Sequence, residues 1–178
     1  MSWMSRRTLL KIVHWMMAPL FVWFVLIGPP QAHALGPWGF QLHSLLAFFF
    51  VILCLGWTAD FLWRGLATTR TPKLPPWASR VHCWMLGIIV WGLFGVALGG
   101  FLLGLTANRV LKAGLLVPFA PPLDMPVANA WIGFLHIMQF YALGALIVVH
   151  AAFHIWRHFW VRDNALRVMV PRALHRFL

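Results

Sequence analysis

The sequence contains no glutamate, and three aspartates supply all of its acidic side chains. Charged residues make up 10% of the chain, whereas about a quarter of the residues of an ordinary water-soluble domain are charged. Hydrophobic residues make up 62%, which excludes intrinsic disorder because disordered chains have low hydrophobicity. These proportions indicate an integral membrane protein, and a length of 178 residues allows one compact domain.

Cysteine is also scarce, with Cys54 and Cys83 as the two examples. Both lie inside apolar runs and far apart in sequence, so they form neither a disulfide framework nor a CxxC site.

Four uncharged runs are long enough to cross a membrane, since a helix needs about 20 apolar residues to span about 30 Å of hydrocarbon. They cover residues 12–28, 40–59, 81–105 and 130–156. Proline-containing segments separate them, and proline cannot continue a helix. The sequence therefore predicts an all-α, four-helix transmembrane bundle that forms a single domain over residues 1–178.

The basic residues are distributed unevenly between the two ends of this bundle. Of the 14 Lys and Arg residues, all except Arg109 and Lys112 lie in the two termini and in the loop after the second run. Because Lys and Arg accumulate in cytoplasmic loops, both termini are predicted to be cytoplasmic. The connections at 28–39 and 106–129 then face the periplasm. Membrane topology also explains the net charge of +11 without nucleic acid as a partner.

An alternative interpretation treats the N-terminus as a twin-arginine export signal, with Arg6 and Arg7 at its start and an Ala-His-Ala cleavage site at 32–34. The apolar segment between them has about 17 residues and exceeds the roughly 7–15 of a signal peptide. It is also rich in Trp and Phe. We therefore expect it to be retained as the first span.

Nine histidines occur in this apolar chain, and an ionisable side chain at membrane depth is a candidate functional residue. His136 and His150 are separated by about 21 Å along one helix and differ by about 40° in direction, so they face the same side at two depths. His43 matches the outer depth and His14 the inner depth. Two depth-matched histidine pairs inside a helical bundle suit two haem b groups.

Spacing alone leaves alternatives at the inner level. His154 lies on the same face of the fourth run as His136, and His82 has the same depth as His14. Either residue is also compatible with a structural role as a hydrogen-bonded histidine in the bundle.

The last apolar run ends in a distinctive segment, residues 150–169, which reads HAAFHIWRHFWVRDNALRVM. Weaker signals are His14-Trp15, His43-Ser44-Leu45, a proline-rich run ahead of His82, and Leu135-His136. In these features the chain resembles the bacterial four-helix cytochrome b561 family, related to the b-type cytochrome subunits of nickel–iron hydrogenases. The resemblance extends from about residue 11 to residue 173. In the family's register the last segment carries His150, His158-Phe159, Arg162-Asp163, Leu166 and Met169.

The resemblance implies that His14 and His150 ligate the iron of an inner haem b, and that His43 and His136 ligate that of an outer one. We call these the inner pair and the outer pair. It also implies electron transfer in the bacterial inner membrane between a periplasmic reactant and membrane quinone, and one branch of the family is similar to a superoxide oxidase that reduces ubiquinone. The chain departs from the family pattern at Ser44, Leu86, Leu93 and Arg157. These departures concern the substrate more than the haem scaffold.

Two groups of residues are candidates for the ends of the electron path. Arg109 and Lys112 are positioned to attract an anion such as superoxide or to pair with haem propionates, with solvated loop charges as the alternative. A quinone site is predicted just beyond the fourth run, where His158 would donate a hydrogen bond and a proton. An interfacial histidine beside lipid phosphates is the alternative for His158. The other quinone candidates are Arg157, Trp160 and Arg162.

No side chain is predicted to be a catalytic acid or base, because electron transfer depends mainly on cofactor placement. The first functional hypothesis is a superoxide:ubiquinone oxidoreductase embedded in lipid. The alternative is an electron-transfer or anchor subunit that serves a separate dehydrogenase, and a third is a haem-free transporter or lipid-binding bundle. Asp60 and Asp163 are expected to pair with Arg64 and Arg162 or to cap helices.

Overall fold

The computed structural model describes residues 5–67, 73–114, 117–118, 121–170 and 175–176. Arg70 and Arg172, which contribute to the predicted orientation, lie outside these residues. The elements are, in chain order, α1 (Arg6–Leu26), α2 (Pro29–Ala34), α3 (Pro37–Arg64), α4 (Pro76–Thr106), β1 (Lys112–Ala113), β2 (Val117–Pro118), α5 (Pro126–Trp156), a π-helical turn (Arg157–Val161) and α6 (Ala165–Met169).

Within the described residues, four helices are long and apolar enough to cross a membrane. The first begins at Ser5, whose side chain accepts a hydrogen bond from the Thr8 backbone N–H at 3.3 Å. The other three begin with a proline in the first turn, where the missing N–H has no helical partner to lose. The predicted all-α fold with four membrane-spanning helices is confirmed.

The start of α1 and the end of α6 lie at one end of the bundle. Arg6 in α1 forms an ion pair with Asp60 near the end of α3, with 2.7 Å between nitrogen and oxygen. Lys11 donates a hydrogen bond to the Val170 carbonyl at 3.1 Å. We call this the basic end and the opposite one the far end. That the basic end faces the cytoplasm stays a prediction.

A short helix and a β-hairpin form the far end. Gly36 has a φ of +86° between α2 and α3, a conformation that favours glycine. The hairpin pairs Lys112 with Pro118 in an antiparallel register and packs against α3. The Gly114 N–H donates to Ser44 Oγ at 3.1 Å. Ser44, one of the departures from the family pattern, thus attaches the hairpin to the bundle.

The most extensive helix contact joins α4 to α5. A stripe of glycines on α4 faces side chains of α5: Gly92 lies against Leu143, Gly95 against Gln139 and Gly99 against His136. Small residues allow close approach of helices in membranes. Gln139 also donates a hydrogen bond to the Gly92 carbonyl at 3.1 Å.

An apolar core fills the middle of the bundle. Phe21 from α1 stacks on Phe140 from α5 with ring centroids 4.7 Å apart. Because Phe140 lies between His136 and His150 along α5, the core separates two histidine levels. Its buried members are Met17, Phe21, Phe50, Cys54, Leu93, Val96, Ala97 and Leu143.

Candidate functional site

A cavity of about 250 Å³, which we call the basic-end cavity, lies between the long helices toward the basic end. His14 from α1, His82 from α4, and His150 and His154 from α5 contribute to its lining. The remaining lining is largely apolar, with Phe21 among it. The fold therefore brings both members of the inner pair into one cavity, together with the two histidines whose roles spacing left open.

The two members of the inner pair have free ring nitrogen atoms. Nδ1 of His14 and Nδ1 of His150 are buried and have no hydrogen-bond partner among the described residues. A buried polar atom of this kind is rare in proteins and calls for an explanation such as a bound group. An imidazole without a bond inside the protein can adopt either tautomer and offer a nitrogen lone pair to a metal.

His82 and His154 are arranged differently. Their Nε2 atoms are 3.3 Å apart and form a hydrogen bond between α4 and α5. The His150 ring stacks nearly parallel to that of His82, with centroids 6.2 Å apart, and its centroid lies 4.5 Å from that of His154. The three side chains each offer a ligand atom within 4.8 Å of the others. Hydrogen bonding thus distinguishes His150 from His154, which helical spacing does not.

The outer pair lies beyond the apolar core. Nδ1 of His43 and Nδ1 of His136 are also buried without a hydrogen-bond partner in the described part of the chain. The His43 ring meets Phe24 edge-on at 5.1 Å, and His136 lies 6.5 Å from Phe140. Phe24 and Phe140 contact each other at 6.1 Å, so an aromatic pair connects the two histidines. Neither histidine lines the basic-end cavity.

The quinone candidates do not converge on one point. His158 and Arg157 are buried in the π-helical turn, while Trp160 is 75% exposed. Arg162 is exposed and has a left-handed backbone with a φ of 54°. Nδ1 of His158 is buried and lacks a partner among the described residues, as in the inner and outer pairs. The π-helical turn was not foreseen, because apolar periodicity does not distinguish it from α-helix.

The acidic residues fit their expected pairings in part. Asp60 lies 3.8 Å from Arg64, as expected, and also pairs with Arg6. Asp163 pairs with Arg157 at 2.6 Å, so the expected pairing with Arg162 is wrong. The turn directs Arg157 inward, and the Arg162 side chain remains at the surface. Asp163 also accepts a bond from the Ala165 N–H at 3.0 Å and thereby caps α6.

The far end carries Arg109 just after α4 and Lys112 on β1, both exposed. They share the end of the bundle nearest to the outer pair. No ion pair joins either of them to Asp124 in the part of the chain that the structure describes.

A second cavity, of about 460 Å³, lies at the basic end and was not anticipated from the sequence. Arg6, Arg7 and Asp60 line its polar part, while Trp57 and Leu86 belong to its apolar part. In the sequence, Arg6 and Arg7 indicate the membrane topology or a twin-arginine signal, and neither interpretation implies a cavity. Only the contact between α1 and α3 reveals that they border a cavity.

A family model described as prokaryotic cytochrome b561 matches residues 5–172, nearly the whole chain. The chain belongs to the prokaryotic cytochrome b561 family. This protein is therefore a multi-pass bacterial membrane cytochrome of the b type, which binds haem b and takes part in electron transfer. Comparison with curated proteins and with solved structures found no match.

Proposed function

We propose that this cytochrome binds two haem b groups and transfers electrons from superoxide in the periplasm to ubiquinone in the bacterial inner membrane, with both termini in the cytoplasm. In one turnover, two superoxide ions each lose one electron and leave as O₂. Ubiquinone takes up both electrons and two protons to form ubiquinol. The observation that carries the proposal is the basic-end cavity, where His14 and His150 approach from different helices with unpaired ring nitrogen atoms.

The residues around the basic-end cavity fit a haem b with two histidine ligands. His14 and His150 would hold it, and when bound it would supply reversible one-electron chemistry at its iron. Apolar side chains such as Met17 and Leu93 line the same cavity and exclude water from it. Low water content is one of the means by which a protein sets a redox potential.

His43 and His136 would hold the second haem b at the far end. Their buried Nδ1 atoms, which have no hydrogen-bond partner among the described residues, support this role, since an imidazole nitrogen can ligate a metal. Phe24 contacts His43, Phe140 contacts His136, and the two phenylalanine rings contact each other. These aromatic contacts orient the histidines and connect them to the central core.

The close approach of His136 to α4 leads to a test of the outer pair. A Cβ atom on Gly99 would lie 2.5 Å from His136 Nδ1, whereas one on Gly100 would lie 4.0 Å from the nearest atom of that ring. We expect Gly99→Ala to displace the imidazole and lower the haem content of the purified protein. The neighbouring Gly100→Ala serves as the control and should keep the wild-type content. Equal haem content in the two variants would contradict ligation by His136.

At the basic end, we propose His158 as the residue that binds the quinone headgroup. It is buried in the π-helical turn that follows α5, and its Nδ1 has no partner among the described residues. Imidazole can donate a hydrogen bond and a proton to a quinone oxygen. Arg157, held by Asp163, would contribute positive charge beside it. Trp160 and Arg162 are proposed at the outer margin of the site because both are exposed.

Arg109 and Lys112 are proposed to attract superoxide to the far end. We expect the double variant R109Q/K112Q to react up to about tenfold more slowly with superoxide at low salt, because a local positive field raises the encounter rate of an anion. The salt dependence of the rate should weaken as well. Stopped-flow measurement at several salt concentrations checks this, with the exposed Arg64→Gln at the opposite end as control. An unchanged rate would identify the two cations as ordinary loop charges.

Haem quantification with a reduced-minus-oxidised visible spectrum tests the proposed function directly. Two haem b groups per chain are expected, and superoxide should drive ubiquinone reduction by the purified protein alone. A haem-bearing protein without this activity would support the electron-transfer or anchor subunit for a separate dehydrogenase as its redox partner. A content of one haem per chain would contradict the two-pair arrangement.

A further inference from the structure

The hydrogen bond between His82 and His154 engages the Nε2 atom of each side chain in the basic-end cavity. The two Nε2 atoms are 3.3 Å apart, and both side chains line the cavity that the inner pair shares. In such a bond one Nε2 carries a proton and the other supplies its lone pair. Neither Nε2 can then bind a metal without breaking the bond.

The two tautomeric arrangements have the same consequence for Nε2 of His154. If His154 donates, its Nε2 holds a hydrogen atom in place of a free lone pair. If it accepts, the lone pair points at His82. His150, one turn away on α5, has no comparable restraint on its buried Nδ1 among the described residues. The difference between these two histidines is therefore produced by α4, which supplies His82.

Geometry otherwise makes the two histidines of α5 close equivalents. They are four residues apart on one helix, a rise of about 6 Å, and their ring centroids are 4.5 Å apart. Both line the cavity that His14 enters from α1. Without His82, the side chain at either position would be available to face His14 across the cavity.

We propose that His154 is a latent axial ligand for the inner haem, and that His82 is the positioning residue that keeps it from competing with His150. This inference rests on the proposed ligation of the inner haem by His14 and His150. Removing His82 frees Nε2 of His154, and the ligand position then moves by one helical turn when His150 is absent.

Haem content and coordination in a set of variants test the inference. His150→Ala alone should halve the haem content, since His82 still holds His154. Adding His82→Phe should restore the content, with the spectrum of a six-coordinate low-spin haem. Phenylalanine keeps an aromatic ring beside His150 and Phe153, which both stack on His82, and removes the nitrogen atoms. A further His154→Ala in this background should halve the content again.

Each other result overturns the inference. Full haem content in His150→Ala would show that His154 is not restrained. Half content in H150A/H82F would show that the freed His154 does not bind, and full content in the triple variant would identify another ligand. The outer haem reports whether each variant folds, and His82→Leu replaces His82→Phe if the latter loses both haems.

Different results would contradict the proposed function and this inference. Wild-type protein with fewer than two haems contradicts the two-pair arrangement before any variant is made. Wild-type protein with two haems and no recovery in H150A/H82F leaves that arrangement intact and refutes the latent ligand.

Discussion

Replacement of His43 by alanine is expected to halve the haem content of the purified protein. His43 lies on α3 with a buried, unpaired Nδ1 and meets the Phe24 ring edge-on at 5.1 Å. The substitution removes one of the two imidazoles that would hold the proposed second haem b at the far end, and a b-type haem is held chiefly through such ligands. The inner pair lies beyond the apolar core and should keep its own haem. Pyridine haemochrome quantification against protein concentration measures the ratio.

The chain offers a matched control at the same end of the bundle. His33 in α2 is exposed, and its ring stacks on Phe40 with centroids 4.4 Å apart. His33→Ala removes an imidazole from the far end without touching the outer pair, so its haem content should equal that of the wild type. Full haem content in His43→Ala, or equal losses in the two variants, would refute the assignment of His43.

The four spans and the two histidine levels are predictable because they depend on properties that add up along the chain. Hydropathy adds up over about 20 residues, so the four spans are visible without any contact between helices. The rise and rotation of an α-helix place His136 and His150 on one face at two depths. The cavity that His14 and His150 share follows from the same regularity, since an even number of spans returns the chain to the depth at which it began.

The remaining features depend on contacts between residues distant in sequence. His82 and His154 are separated by 72 positions along the chain, and their bond requires α4 and α5 to approach through the glycines at 92, 95 and 99. No periodicity in the sequence specifies which nitrogen atoms meet there. The choice between His150 and His154 consequently came from family likeness, while the structure adds a physical difference between them.

The ion pair at the basic end also depends on structure that the sequence pattern does not reveal, although its residues are close in sequence. Arg162 adjoins Asp163 in sequence, which made it the expected partner. The π-helical turn at Arg157–Val161 changes the direction of these side chains, and Arg162 adopts a left-handed conformation after it. Arg157, six positions before Asp163, then becomes the residue that reaches the carboxylate. If a regular α-helix is assumed through this segment, Arg157 and Arg162 are placed incorrectly relative to Asp163.

The buried pair of Arg157 and Asp163 predicts a large loss of stability on removal of one charge. The Asp163 side chain is fully buried and that of Arg157 is 6% exposed. Asp163→Asn preserves the shape but removes the Asp163 charge from the buried ion pair, and breaking such a pair costs about 3–5 kcal/mol. We expect a marked drop in the thermal unfolding midpoint of the detergent-solubilised protein. Circular dichroism on heating measures it.

Asp60→Asn is the matched control, because it makes the same chemical change in a more accessible pair. Side-chain exposure there is 27% for Arg6 and 16% for Asp60, and water therefore compensates part of the lost interaction. Its midpoint should fall less than that of Asp163→Asn. The Asp163 variant should also lose quinone reduction beyond any loss of haem, since Arg157 and the adjacent His158 depend on the turn that this carboxylate holds. Equal effects of the two substitutions would mean that the buried ion pair does not maintain the basic end.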